Sequence, residues 1–108
     1  MGKSLTIKYK GTQYKLEFNR RAIARMERAG FALEDISRRP VMTIPELFAG
    51  AFIMHQPWLK RAVIDEIYEN ISDRGRLIER LCEMYNQPIE SMVDEPEENE
   101  GNASWQED

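Results

Sequence analysis

Cysteine and histidine are scarce in this chain of 108 residues, which has one of each, Cys82 and His55. A single cysteine excludes a disulfide framework and a cysteine-based metal site within one chain, and it fits a reducing cytoplasm. Ser-His-Asp, Cys-His and multi-histidine metal arrangements would each need a group that this chain lacks or has only once, which favours a structural role for the histidine over a catalytic one. We expect Cys82 to be a small core side chain and His55 to bond free carbonyls at a helix end.

Long apolar runs and glycine-rich loops are also missing. No stretch approaches the roughly 20 apolar residues that cross a bilayer, and residues 1–10 alternate in polarity, unlike a signal sequence. Neither a phosphate loop nor a dinucleotide-binding glycine pattern occurs. Adjacent carboxylates such as Asp65 and Glu66 diverge on a helix instead of meeting at one substrate. We therefore expect a soluble protein that is not an enzyme, uses no cofactor or metal and has no membrane partner.

Basic residues are absent from residues 94–108, which contain seven carboxylates and only two apolar side chains, Ala103 and Trp105. Burial here cannot offset the entropy of ordering, so a disordered acidic tail is expected after a single folded domain at 1–93. The rest of the chain has 15 basic and 12 acidic residues, so its net charge is positive while that of the tail is negative. Trp105 is either a stray hydrophobe or a short anchor for a partner or for the basic body.

The apolar pattern predicts an α+β fold, mainly helical, with an N-terminal β-hairpin packed on about four helices. Alternation over residues 4–18, around a Lys10-Gly11-Thr12 turn, predicts the hairpin. Apolar residues at helical spacing predict helices at about 20–29, 44–55, 57–71 and 73–86, with one or two further turns after Gly30. The hairpin is too small to be stable alone, so the helices must cover its apolar face.

Local signals predict where the helices begin and end. Asn19 is a good N-cap for the first helix and Gly30 ends it, while Thr43 and Glu46 form a predicted capping box for the second. The third helix is predicted to begin at Pro57, and the fourth to end at Gln87-Pro88. The second helix is apolar over most of its surface, which favours a central core helix but also fits a partly exposed docking surface.

A cluster of arginines marks the first predicted helix, with Arg38 and Arg39 nearby. Three interpretations fit it: a solvated face that pairs with the tail, a docking face for an acidic protein segment, or a nucleic-acid interface. Interspersed acidic residues, a sequence pI near 5.1 and the acidic tail all disfavour nucleic acid. The arginines of this helix are Arg20, Arg21, Arg25 and Arg28.

The order of several segments is familiar: Tyr14 to Phe18, Ala22 to Gly30, Ile44 to Phe52 and Leu77 to Asn86, followed by an acidic tail with a late Asn and Trp. This order resembles the small tail assembly chaperones of long, non-contractile-tailed phages and prophages of Gram-positive bacteria. The resemblance implies a non-enzymatic protein of the bacterial host cytoplasm, absent from the mature virion. It would bind the tape measure protein, keep it soluble and help recruit tail tube protein.

The resemblance also implies possible self-association and a longer form of the chain made by a −1 ribosomal frameshift. Glu100-Gly101-Asn102 is compatible with the codons GAG GGA AAC, which contain a slippery run, and the nucleotide sequence decides this hypothesis. The partner-binding candidates follow from hydrophobicity, charge and position. They are Leu47, Phe48, Phe52, Trp58, Arg20, Arg25, Arg28 and Trp105.

Two other functional classes fit the sequence. One is a small prophage regulatory protein that binds nucleic acid through its arginine-rich helix. The other is an accessory subunit of an enzyme complex. Neighbouring genes would separate them from a chaperone, whose gene should lie between those of the major tail protein and a very long tape measure protein.

Overall fold

The computed structural model describes residues 4–93 together with Gln106 and Glu107, and it confirms the predicted fold class. Two antiparallel strands precede a mainly helical remainder, which includes a 3-10 turn at Leu33–Ile36. The predicted acidic tail lies outside the described residues, except for the exposed Gln106 and Glu107. The elements are β1 (Ser4–Tyr9), β2 (Thr12–Glu17), α1 (Arg20–Arg28), α2 (Pro40–Ile53), α3 (Arg61–Asn70) and α4 (Arg74–Val93).

The hairpin closes through a two-residue turn, Lys10-Gly11, with positive φ angles of 50° and 80°. Positive φ at both central residues defines the type I′ turn, whose twist matches that of the flanking strands. The register pairs Leu5 with Leu16 and Ile7 with Tyr14, so the apolar side chains share one face. The helices cover this face, as the sequence predicts.

The core lies between the hairpin and the four helices. Helix α2 is its centre, because this helix contacts β2, the 3-10 turn and each of the other three helices. Tyr85 of α4 packs its ring against Phe18 and Phe31, and burial raises the pKa of its hydroxyl to about 12. The fully buried large side chains are Leu16, Leu47, Phe48, Phe52, Ile67, Leu81 and Met84.

Helix α1 has the predicted signals at both ends. The Asn19 side chain accepts a hydrogen bond from the amide of Ala22 at 2.8 Å. At the other end Gly30 has φ +98°, its amide donates to Glu27 O, and the Phe31 amide donates to Met26 O. This pair of bonds is the Schellman motif, and it directs the chain back so that Phe31 packs on the core.

Helix α2 begins four residues before its predicted start, so the capping box at Thr43 and Glu46 is wrong. Pro40 occupies the first turn, where a residue without an amide proton is well tolerated. The Thr43 amide donates to Arg39 O at 2.9 Å, inside the helix. Pro45 removes one internal hydrogen bond, and the helix continues through it to Ile53 because the following residues are held in the core.

The predicted start of the third helix and end of the fourth are also wrong. Pro57 and Trp58 form a tight turn in which the Leu59 amide donates to Gln56 O at 3.1 Å, and α3 begins only at Arg61. Helix α4 continues through Pro88 to Val93. Pro88 and Ser91 line a hollow together with Asn19 and Arg20, so packing against the start of α1 accompanies the helical continuation.

No helix within residues 4–93 is both long enough and apolar enough to span a membrane. Within the same residues, no group of three or more His, Cys, Asp or Glu side chains is arranged to hold a metal ion.

Candidate docking surface

The exposed side of α1 forms a basic face. Ala22, Ile23 and Met26 point into the core, and the arginines between them point to solvent. The helix therefore separates apolar and basic residues cleanly across its axis, as its sequence periodicity predicts. This basic face consists of Arg20, Arg21, Arg25 and Arg28.

The basic face has no internal acidic partner among the residues that the structure describes. The ion pairs in the described part of the chain lie elsewhere. Their basic members are Lys10, His55, Arg61 and Arg80. Arg38 and Arg39, after the 3-10 turn, are also exposed and outside these pairs. Guanidinium groups bind carboxylates in a planar, two-point geometry, so these side chains can bind an acidic segment.

A groove of about 410 Å³ opens beside the C-terminal end of α1, between that helix, the 3-10 turn and α2. Part of its lining is apolar and includes Met26, Phe31 and Ile53. Charged residues line it as well: the cations Arg25, Arg39 and Arg61 and the carboxylates Asp35 and Glu46. Such a groove can take an aromatic or aliphatic side chain whose own chain carries negative charge.

The three arginines that line the groove differ in their freedom to bind a ligand. Arg61 donates to Glu46 at 2.9 Å and to Asp65 at 3.0 Å, and the hydrogen bond with Glu46 contributes most to raising its pKa. Its charge is therefore already matched. Arg25 and Arg39 form no such pair with the described part of the chain, so they are the cations available to an incoming carboxylate.

Gly50 allows the closest approach between α1 and α2 beneath this groove. A Cβ atom at position 50 would lie 2.5 Å from both Cε and Sδ of Met26. The absence of a side chain thus gives Met26 its place against the α2 backbone. Met26 and Gly50 both line the groove, so this glycine shapes the site directly and through Met26.

A second hollow follows the side of α1. It is lined by Arg21, Arg25 and Arg28 from α1 and by Ile53 and Met54 from the end of α2. Arg25 and Ile53 line both hollows, so the two adjoin. Together they make a channel, here called the α1 channel, which runs from Asn19 to Gly30.

The predicted site residues separate into buried and exposed groups. Leu47, Phe48 and Phe52 are 0 %, 1 % and 0 % exposed, so they fill the core, as the apolar pattern of α2 favours. In this conformation they offer no surface to a partner, unlike the partner-binding role also predicted for them. Trp58 is 74 % exposed in the turn before α3. Arg20, Arg25 and Arg28 are exposed on α1, and Trp105 lies outside the described residues.

Sequence reasoning missed several exposed apolar side chains. Val41 and Met42 are 85 % and 72 % exposed because α2 starts at Pro40, and its first turn extends beyond the core. Met92 and Val93 are exposed because α4 continues past Pro88. Pro40 at a helix start was the available signal for the first pair. No sequence signal marked the second pair, because Pro88 predicted a helix end.

His55 and Cys82 have structural surroundings. His55 Nε2 lies 2.8 Å from Glu17 Oε1 across the end of β2, so the expected bond to free helix carbonyls is replaced by one to a carboxylate. Cys82 is half-buried on α4, more exposed than the core position that we expected. Burial, with Glu79 nearby, raises the pKa of its thiol, which disfavours the reactive thiolate.

Comparison with known families places the whole chain in one of them. The chain belongs to the family described as Domain of unknown function (DUF5055), whose model matches residues 1–108. No curated protein and no solved structure matches the chain.

Proposed function

We propose that this chain is a tail assembly chaperone of a long, non-contractile-tailed phage or prophage of a Gram-positive bacterium. In this role it binds the tape measure protein, keeps that protein soluble and helps recruit tail tube subunits, without catalysis. The chain acts in the host cytoplasm and is left out of the finished virion. The first support is the resemblance described above. The segments that carry it correspond to the hairpin, α1, α2 and α4.

One observation carries the proposal further. Large apolar side chains remain exposed although the domain has a filled core, and they occur at the start of α2, in the turn after it and at the end of α4. A long, largely helical partner prone to aggregate exposes apolar stripes, and apolar side chains on a small folded domain can cover them. The side chains that we propose for this contact are Val41, Met42, Trp58, Met92 and Val93.

The revised contact set replaces the buried part of the expected one. Trp58 is retained, because an exposed tryptophan combines a large apolar area with few rotatable bonds. Leu47, Phe48 and Phe52 support the surface from within, since they hold α2 against the hairpin and the other helices. Contact with tail tube protein, self-association and a longer frameshifted form remain parts of the same proposal.

Co-expression with the tape measure protein encoded nearby tests this function. We expect the chain to increase the soluble fraction of that protein and to co-purify with it at moderate salt. Trp58→Asp should weaken both effects while the variant stays folded. Gln13→Asp is the matched control, because it places the same charge on an exposed polar position of β2. Equal behaviour of the two variants would remove Trp58 from the contact, and no solubilisation by the parent chain would contradict the chaperone role.

The exposed basic face keeps nucleic acid as a second candidate. A regulatory protein that binds DNA through α1 should show binding that falls steeply with salt, because each phosphate contact releases counterions. Arg25→Glu together with Arg28→Glu should then abolish binding. A chain that binds DNA in this way and leaves the tape measure protein insoluble would favour the second candidate over the first.

A further inference from the structure

We propose that the α1 channel is the docking site for residues 94–108 of the same chain, with Trp105 inserted in the groove beside the C-terminal end of α1. This inference concerns the chain by itself and does not depend on the identity of its partner. Three observations carry it: matching charge, sufficient reach and an apolar groove at the far end of the path.

Charge complementarity selects this occupant. The α1 channel offers Arg21, Arg25 and Arg28, with Arg39 at the groove, and none of them is in an ion pair with the residues that the structure describes. Two carboxylates also line the groove, but Glu46 is paired with Arg61, so the unpaired cations of the channel outnumber Asp35. Residues 94–108 contain seven carboxylates and no basic residue. A covalently attached segment also has a high effective concentration at a nearby site, which a free acidic peptide lacks.

The chain direction and length allow this path. Helix α4 delivers Val93 close to the start of α1, because Ser91 and Pro88 share a hollow with Asn19 and Arg20. From there the twelve residues 94–105 can span up to about 40 Å when extended. The nine residues of α1 cover only about 13 Å. The segment can therefore follow the helix from Asn19 to Gly30 and still have slack for loops.

The groove suits the one large apolar side chain of the segment. Its apolar lining includes Met26, Phe31 and Ile53, and thioether and aromatic groups pack well against an indole. Arg25 and Arg39 line the same groove, so a segment that enters it brings its carboxylates, or the indole ring face, within reach of a guanidinium group. The fit assigns Trp105 the role of an anchor and the acidic residues the role of a guide.

Docking of this kind would cover the basic face and make it unavailable to other acidic segments or to nucleic acid. A partner that binds the channel must then displace the segment. Residues 94–108 would thus compete with any partner for the α1 channel. Their affinity for the channel should fall as salt rises, because the attraction is between surface charges.

Tryptophan fluorescence tests the inference on the full chain. Trp58→Phe leaves Trp105 as the single tryptophan, and its emission maximum and quenching by acrylamide report solvent exposure. At low salt we expect a blue-shifted emission and protection from quenching, independent of protein concentration. Adding 1 M NaCl, or introducing Arg25→Glu with Arg28→Glu, should remove most of this protection.

A matched control separates specific docking from a change in net charge. Lys8→Glu with Arg76→Glu makes the same change in charge at exposed positions on β1 and α4, away from the channel. This control should keep the protection, and circular dichroism should show that both double variants stay folded. The proposal is overturned if Trp105 is solvent-exposed at low salt or if the control loses as much protection. Protection that grows with protein concentration would also overturn it, because the occupant would be the segment of a second copy.

Discussion

At the residue scale, Gln56 joins the hairpin to α2 in the manner of a neighbouring strand. Its side-chain carbonyl accepts from the Lys15 amide at 2.8 Å, and its amide nitrogen donates to the Lys15 carbonyl at 2.9 Å and to Phe52 O at 3.0 Å. Lys15 is opposite Thr6 in a non-hydrogen-bonded pair, so its backbone N–H and C=O point away from β1. Without Gln56 these two groups would lack partners in the hairpin. One buried side-chain amide therefore satisfies both backbone groups of Lys15 on the free edge of β2.

Replacing Gln56 by alanine should be costly for its size. The change leaves two backbone groups of Lys15 without partners, and we expect the free energy of unfolding to fall by about 2 to 4 kcal/mol. Urea denaturation would measure the loss. Gln13→Ala is the matched control on the same strand, where the side chain is exposed, and it should stay within about 0.5 kcal/mol of the parent. Similar losses in both variants would contradict the bridging role.

The effect of Gly50→Ala on stability should change sign when Met26 is also replaced. In the parent chain, Gly50→Ala drives a methyl group against Met26, and the cost of overpacking, about 1 to 3 kcal/mol, should exceed the gain in helix propensity. In a Met26→Ala background the space is open, so the same substitution should stabilise α2 by about 0.5 to 1 kcal/mol. A double-mutant cycle in urea measures the coupling. Additive effects would show that Met26 moves aside freely.

At the element scale, α3 is fastened to the hairpin turn through Glu66. Its carboxylate accepts from the Tyr9 hydroxyl at 2.7 Å and from Lys10 Nζ at 3.1 Å. The Tyr9 hydrogen bond is the main cause that lowers the pKa of Glu66, and Lys10 adds to the shift. The folded pKa thus lies below the unfolded one, so this contact stabilises the fold above the unfolded pKa and is lost as pH falls through the folded pKa.

Acid should therefore release the hairpin turn from α3. We expect the NMR shifts of Tyr9 and Lys10 to titrate with the Glu66 carboxyl at a pH below the ordinary glutamate range. Glu66→Gln should abolish this step. Glu69→Gln, on the exposed side of the same helix, should leave it unchanged. A Glu66 titration at the ordinary glutamate pH would show that the contact does not persist in solution.

The elements whose limits depend on local chemistry were predictable, and those whose limits depend on tertiary packing were not. Asn19, Gly30 and the Lys10-Gly11 turn use their own backbone or side chains, so the sequence around them was sufficient. Pro88 is a strong local stop signal, yet α4 continues to Val93, beside the start of α1, a neighbour that no local signal reveals. At Pro57 the opposite occurs, since a tight turn is formed where a helix start was expected.

At the scale of the whole molecule, hydrophobicity does not distinguish a core from a docking surface. Phe48 and Trp58 were equivalent in the sequence, because both are aromatic residues near an apolar helix. The fold separates them, since Phe48 packs edge-on against Phe52 and Tyr68 while Trp58 faces solvent. The basic face needed no such help, because charge on one side of an amphipathic helix is visible in its periodicity. The groove was not foreseeable, because residues of α1, the 3-10 turn, α2 and α3 together line it.

Substitution of Phe48 should therefore affect mainly the stability of the fold, and substitution of Trp58 mainly the binding of the proposed partner. Phe48→Ala removes a ring from the centre of the core, and we expect it to lower the free energy of unfolding by about 3 to 5 kcal/mol. Trp58→Ala should change that energy by no more than about 0.5 kcal/mol, because the side chain is already in water. Urea denaturation measures both values, and co-purification with the tape measure protein measures binding.

Stability and binding measured together distinguish a core residue from a residue of the contact surface. A domain of this size has a total stability of about 5 to 10 kcal/mol, so Phe48→Ala should leave it marginally folded, and any loss of binding would follow from unfolding. Trp58→Ala should lose binding at unchanged stability, which only a residue of the contact surface can do. If Trp58→Ala destabilises the chain as much as Phe48→Ala, the turn at Pro57-Trp58 belongs to the core, and the contact surface must be sought at Val41, Met42 and the end of α4.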